Sequence, residues 1–222
     1  MIETGVHFGD IHSFHDLNLI LAPFTYTPAR IKENRVERAG GDGSIDLTEA
    51  LGEVKYYDRE LSFNFTVAPG DTLTFEERQT AVSNALNGLK CKITLDKDPD
   101  YYWEGRCKVN EYLSNKLLRQ IVIVATVAPY KMAQNETVVT VDVTNTAQTF
   151  VLTNAKKAVV PTFTCDVPIT INFGDFRKSF IAGEHKELDI RLVQGSNTLT
   201  IVAFSSGYPS GTVTFTYREG VL

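Results

Sequence analysis

Few residue groups in this chain have both the types and the spacing for chemistry. Asp96, Asp98 and Asp100 alternate as the first ligands of a calcium loop do, and Glu104 follows. Such a loop needs glycine at its sixth position and glutamate at its twelfth, where this chain has Tyr101 and Cys107. Pro99 inside the run favours a plain turn. His7, His12 and His15 lie close together, with Asp16 beside them. Three imidazoles can ligate zinc, but the spacing matches no zinc signature, and a strand-like segment sends alternate side chains to opposite faces. Ser13, His15 and Asp16 are neighbours, which does not make a triad, and no G-x-S-x-G elbow occurs. The 27 acidic residues include no pair marked out for glycoside hydrolysis. The glycines at 40, 41 and 43 lack the strand-to-helix setting and the lysine of a phosphate loop. Tyr101, Tyr102 and Trp103, with Tyr208 and Tyr217, have the surfaces to stack on sugar rings, but aromatics in strands belong first to packing. No catalytic set, cofactor site or metal site emerges, so an enzyme is not expected.

Composition narrows the classes further. The chain has 222 residues, 43% hydrophobic and 22% charged, ordinary for a soluble globular protein of one large or two small β domains. A net charge of −5 with no Lys/Arg cluster argues against dedicated binding of nucleic acid or an anionic membrane. Cys91, Cys107 and Cys165 are an odd count without CxxC spacing, which favours buried free thiols made in a reducing cytosol. The N-terminal residues carry no basic and apolar signal pattern, and no apolar run approaches the roughly 18 residues of a membrane span.

The elements that would position any site are mostly strands. Val6 and Phe8 suggest a first strand and residues 17–21 a second, before Pro23 and Pro28 impose extended backbone. Residues 30–38 are a mixed-charge edge strand or loop. Gly40, Gly41, Asp42 and Gly43 form a turn with a strong hairpin signal, and Gly52 marks another. Leu61, Phe63, Phe65 and Val67 then alternate onto one face of a strand. The one convincing helix starts at Thr74, where Glu77 completes a capping box, and carries Ala81, Val82, Ala85, Leu86 and Leu89 as its apolar stripe. Strands are expected over 90–95, 101–103 and 107–112, with a turn over 96–100, and a central strand over 117–127.

Charges thin out after residue 137, and short Thr/Val-rich strands recur at 159–165, 169–173, 178–181, 188–192, 198–204 and 213–217. Turn residues separate them at 174–175, 183, 195–197 and 208–211. That spacing without helices predicts a β-sandwich. The expected domains are 1–132 and 133–222, divided near Pro129 and the polar turn at 134–136.

Taken in order, several of these pieces resemble the distal tail proteins (Dit) of long-tailed siphophages and prophages. They are Phe8-Gly9-Asp10-Ile11-His12-Ser13, Asp16-Leu17-Asn18-Leu19, the glycine turn running to Leu47, and Tyr56-Tyr57-Asp58-Arg59-Glu60-Leu61. Further along come the Asp-Pro-Asp-Tyr-Tyr-Trp core closing on Gly105-Arg106, Ala128-Pro129-Tyr130-Lys131, Gly195-Ser196-Asn197, and Gly211-Thr212-Val213 running to Tyr217-Arg218. The resemblance implies a mainly β fold, with an N-terminal β-sandwich or barrel-like hub domain bearing one helix and a C-terminal galectin-like β-sandwich. It implies a structural virion protein at the tail tip, made in the bacterial host cytoplasm. Six copies would form a ring between the major tail tube protein and a tail-associated, baseplate or fibre protein. DNA would pass through the channel without specific binding, and no membrane is involved. Gly40, Gly41, Asp42, Gly43, Asp58 and Arg59 are the residues expected at the subunit interface. The alternative is a carbohydrate-binding β-sandwich protein that contacts the host surface.

Overall fold

The computed structural model describes residues 5–24, 26–50, 52–110, 120–204 and 210–222. The expected strand residues 111–112 and 117–119, and Tyr208 and Pro209 of the last expected turn, lie outside them. The chain is mainly β and divides into two compact units, Met1–Lys131 with Leu222, and Met132–Val221.

The first unit contains β1 (Val6–Phe8), β2 (Ile11–His12), β3 (Leu19–Leu21), β4 (Arg35–Glu37), β5 (Ser44–Asp46), β6 (Arg59–Val67), α1 (Phe75–Leu86), β7 (Lys90–Leu95), β8 (Asp98–Val109) and β9 (Gln120–Val127). Seven of these strands form an antiparallel sheet in the order β2-β1-β7-β8-β9-β6-β3. The sheet curls until its ends approach, where the Leu19 amide donates to the Ser13 carbonyl at 2.9 Å. Strict alternation on β6 buries Leu61, Phe63, Phe65 and Val67. Register sets Leu61 opposite Ala125, Phe63 opposite Ile123 and Phe65 opposite Ile121 on β9. Burying each large side chain contributes roughly 1.5–3 kcal/mol, so this face supplies much of the unit's stability.

Helix α1 begins as its sequence dictates. The Glu77 amide donates to Thr74 Oγ1 at 3.3 Å, and the Thr74 amide donates to Glu77 Oε2 at 2.8 Å. Val82 and Leu86 enter the core, while Leu89 lies beyond the helix end, after Gly88 at φ +85°. The expected turn over 96–100 is shorter than its composition suggests. Asp98 already pairs with Leu95, so Asp98, Pro99 and Asp100 belong to β8. A register shift between Ile93 and Leu95 lies opposite the stretch that contains Pro99, as Ile93 pairs with Trp103 and Leu95 with Asp98.

The second unit has β10 (Lys131–Ala133) at its boundary, then β11 (Thr137–Thr144), β12 (Gln148–Asn154), β13 (Thr162–Cys165), β14 (Ile169–Phe173), β15 (Phe176–Phe180), β16 (Gly183–Lys186), β17 (Gly195–Ala203), β18 (Ser210–Tyr217) and β19 (Gly220–Val221). Two antiparallel sheets, β11-β18-β13-β16 and β12-β17-β14-β15, pack their inner residues into one core that includes Phe163, Ile171, Leu199, Ile201, Val213 and Phe215. Residues 188–192, expected as a strand, form a turn held by the Ile190 amide on the Glu187 carbonyl, with one isolated bridge from Leu192 to Val159. Their alternation reflects burial of Ile190 and Leu192 rather than a sheet ladder. The strand at this place is β16, starting at Gly183, opposite Cys165.

Candidate interaction site

The expected interface residues fall on an arm of the first unit and at its root. Strands β4 and β5 pair Arg35 with Asp46, Val36 with Ile45 and Glu37 with Ser44. All six of these residues are exposed, so both faces of the ribbon meet water. Below it the two chains stay paired. The Leu47 amide donates to the Asn34 carbonyl at 2.7 Å, the Lys32 amide to Lys55 at 2.8 Å and the Tyr57 amide to Arg30 at 2.9 Å. Ile31, Val36, Ile45, Leu47 and Tyr57 are exposed along this arm. Gly40 and Gly43 sit at its tip at φ +74° and +73°, and a Cβ on either would touch nothing within 4 Å. These glycines serve backbone shape, not close approach.

Asp58 and Arg59 lie where the arm rejoins the sheet. Asp58 is exposed, whereas Arg59 is buried at 4% exposure. Its Nε donates to the Thr27 carbonyl at 3.1 Å and its Nη1 to the Pro129 carbonyl at 3.2 Å. The guanidinium also lies 5.2 Å from the centre of the Tyr26 ring. Burial pulls the Arg59 pKa below its ordinary value. Arg59 therefore ties together the chain segments at the root of the arm. The structure brings Gly40, Gly41, Asp42 and Gly43 together at the tip and sets Asp58 and Arg59 at the other end.

Sequence reasoning missed a contact that spans 84 residues. His12, on β2, packs against Asp96 after β7, with His12 Nε2 3.2 Å from Asp96 Oδ2. The Phe14 and His15 amides both donate to His12 Nδ1, at 3.2 and 3.1 Å. Nδ1 is thus the acceptor and Nε2 carries the proton that it donates to Asp96. His7 Nε2 lies 3.4 Å from the other Asp96 oxygen. These three side chains have the types and proximity of a metal-ligand set. A metal on His12 Nε2 would displace its proton while Nδ1 faces two amide donors. That is the reverse of the usual ligating histidine, whose other nitrogen donates. The group acts as a clasp: the Gly5 amide also donates to Asp96, at 2.6 Å. Burial pushes the Asp96 carboxyl up, but the Gly5 amide and the His12 and His7 rings outweigh it and hold it below its ordinary value.

The remaining candidates are packing groups. Asp98 takes an ion pair from Lys131. Tyr102, Trp103 and Tyr217 are buried, so their faces are not open platforms, and Tyr208 lies outside the described residues. The three cysteines are free thiols, with Cys91 Sγ and Cys107 Sγ 3.9 Å apart.

No family model matches the chain, and no curated protein sequence matches it. A curled sheet with a helix followed by a sandwich of two four-stranded sheets is nevertheless a fold already seen in solved structures. One of these is SPP1 Dit (gp 19.1), described as a paradigm of hub adsorption apparatus in Gram-positive infecting phages. It superposes with a TM-score of 0.65 over 99% of both chains at 15% sequence identity. The chain has the Dit fold.

Proposed function

We propose that this protein is a non-enzymatic tail hub of a long-tailed phage or prophage. Six copies close a ring at the distal end of the tail tube. One side docks the major tail tube protein and the other a tail-associated, baseplate or fibre protein, while DNA passes through the channel. In this reading the first unit forms the ring and the second is the galectin-like sandwich. The observation that carries it is the match to SPP1 Dit over essentially the whole of both chains, which includes both units in order.

The arm supports the same reading. A closed ring uses heterologous contacts, in which each protomer presents one patch to a different patch on its neighbour. A two-stranded ribbon with both faces in water is marginal by itself, and a neighbour that covers one face would stabilise it. The arm tip at Gly40, Gly41, Asp42 and Gly43, with Asp58, makes the subunit contact, and Arg59 sets the direction in which the arm leaves the sheet. The net charge of −5 suits a lumen that DNA traverses without adhering, because binding requires phosphate neutralisation.

Light scattering on the purified chain, with negative-stain images, tests the reading. The expected species contains six chains of 24.7 kDa and images as a ring. A strict monomer at high concentration that also fails to close on a tail tube of its own phage would sink it.

A further inference from the structure

A second feature of the first unit lies apart from the arm tip. Leu21, Ala22, Pro23, Phe24 and Tyr26, continuing from β3, face Leu95, Lys97, Asp98 and Trp103 of the β7–β8 hairpin across a cavity of about 470 Å³. That volume is in the range of binding pockets rather than packing voids. The lining is chiefly apolar. Trp103 lies beneath the cleft at 2% exposure, so its indole senses what binds there without opening into it.

The backbone beside it is open as well. Among the described residues, strand β3 ends the sheet and pairs with β6 alone. Ile20 faces Thr66, and the Ala22 amide donates to the Asn64 carbonyl at 2.8 Å. Antiparallel bonding alternates, so the Leu21 N–H and C=O point away from β6. Leu19, two residues earlier, has the same orientation and spends its amide on Ser13. Leu21 has no such backbone partner among the described residues.

We propose that this cleft binds an extended segment of a partner polypeptide, which adds to the free edge at Leu21 and seats one bulky apolar side chain against Phe24 and Tyr26, above the buried Trp103. Strand addition gives main-chain hydrogen bonds, and a pocket for an alternate side chain gives selectivity. Lys97, exposed at the rim and without an ion pair among the described residues, favours an acidic residue beside the apolar one. A saccharide suits the cleft less well. Its many hydroxyls need several polar side chains, and among the lining residues the one carboxylate, Asp98, is already engaged by Lys131. Aliphatic Leu21, Pro23 and Leu95 also offer a polyol nothing. The inference does not rest on ring formation and concerns a different surface.

Trp103 is the only tryptophan, so the full chain gives one indole N–H resonance and one tryptophan emission, both from this cleft. The probe is a blocked heptapeptide of alternating Thr and Val with a central Phe followed by Glu, titrated into the ¹⁵N-labelled full chain. The expected result is a saturable shift of the indole proton. Replacing the central Phe by Ala should weaken binding by about tenfold or more, since buried aromatic anchors dominate such contacts. Replacing the residue beside it by Pro, which removes a main-chain donor, should weaken it comparably. In the protein, Ala22→Phe narrows the cleft and should abolish the shift while the thermal transition stays in place. Three results would overturn the proposal. These are no saturable shift at millimolar peptide, a shift with chitotriose but not with the peptide, or undiminished binding by a folded Ala22→Phe chain.

Discussion

Replacing Arg59 by Met keeps most of the side-chain bulk and removes the donors, and so isolates what the guanidinium does at the root of the arm. Two carbonyls, Thr27 and Pro129, lose their bonds at 3.1 and 3.2 Å. Hydrogen bonds to a charged group are worth about 1.5–3 kcal/mol each. Two effects reduce the sum. Burial already disfavours the charged form of Arg59, and the variant no longer bears that penalty. Water also reaches one or both carbonyls once the side chain is shorter. A net loss of about 2 kcal/mol remains, which for a unit of this size lowers the melting temperature by roughly 8 °C. Arg59→Glu should be worse, because it sets a buried carboxylate against two carbonyl oxygens. Trp103 emission reads the first unit directly, since Tyr26 lies between the two groups, with its ring 5.7 Å from that of Trp103. Thermal unfolding followed at this wavelength, with ring yield by light scattering, gives both consequences. If Arg59→Met melts within 2 °C of the parent, or Arg59→Glu is no worse than Arg59→Met, the root-clamp reasoning is wrong.

Three further expectations follow from particular contacts. Asp71 takes paired 2.6 Å bonds from Arg78, which hold its carboxyl well below the usual carboxylate range. With the folded pKa depressed, the stabilisation is complete above the unfolded value of about 3.9 and is lost as pH falls below it. Asp71→Asn should therefore flatten the acid limb of a urea-midpoint profile below about pH 4, and an unchanged slope would refute the pairing. Gly105→Ala should prevent β8 from lying between β7 and β9, because the added Cβ would sit 2.2 Å from the Thr126 carbonyl oxygen; soluble protein melting like the parent would contradict this. Gly43→Val meets no neighbour but opposes φ +73°, so it should lower ring yield in sedimentation while leaving the unfolding of the second unit unchanged.

What the sequence made legible follows the physics of burial. The β6 alternation was readable because one face of that strand is wholly buried, and period two then has a single interpretation. The α1 start was readable because Thr74 and Glu77 meet each other's backbone locally, whatever the rest of the chain does. The hairpin turn at residues 40–43 was readable from its glycines, but the register of Arg35–Glu37 on Ser44–Asp46 was not, because a ribbon exposed on both faces leaves no apolar pattern. Nor was the His12–Asp96 clasp, in which partners far apart in sequence are joined only by sheet order. Arg59 was expected at the subunit interface, yet period two sets it on the same face as Leu61. What no local spacing encodes is its partners, the Thr27 and Pro129 carbonyls, which converge on it from distant parts of the chain.

The two faces of the arm differ in a way that bears on how a ring would close. Val36 and Ile45 pair across one face, while Arg35 and Asp46 pair across the other, with Arg35 Nη2 3.5 Å from Asp46 Oδ2. The exposed ion pair is screened by water and salt and contributes little to holding the ribbon. Val36 and Ile45 are 47% and 44% exposed, so about half of their burial is still unrealised. Seated on a neighbour, each would add roughly 1 kcal/mol, a useful increment for a marginal ribbon. Only one face profits, so on the proposed reading the arm would meet a neighbour through that face, with the charged face left in water. A closed ring requires that this face meet a different patch on the neighbour rather than its own copy. Val36→Asp with Ile45→Asp should then dissolve the ring into monomers and leave the Trp103-reported transition where it was. A double variant that still forms rings would separate the arm from assembly altogether.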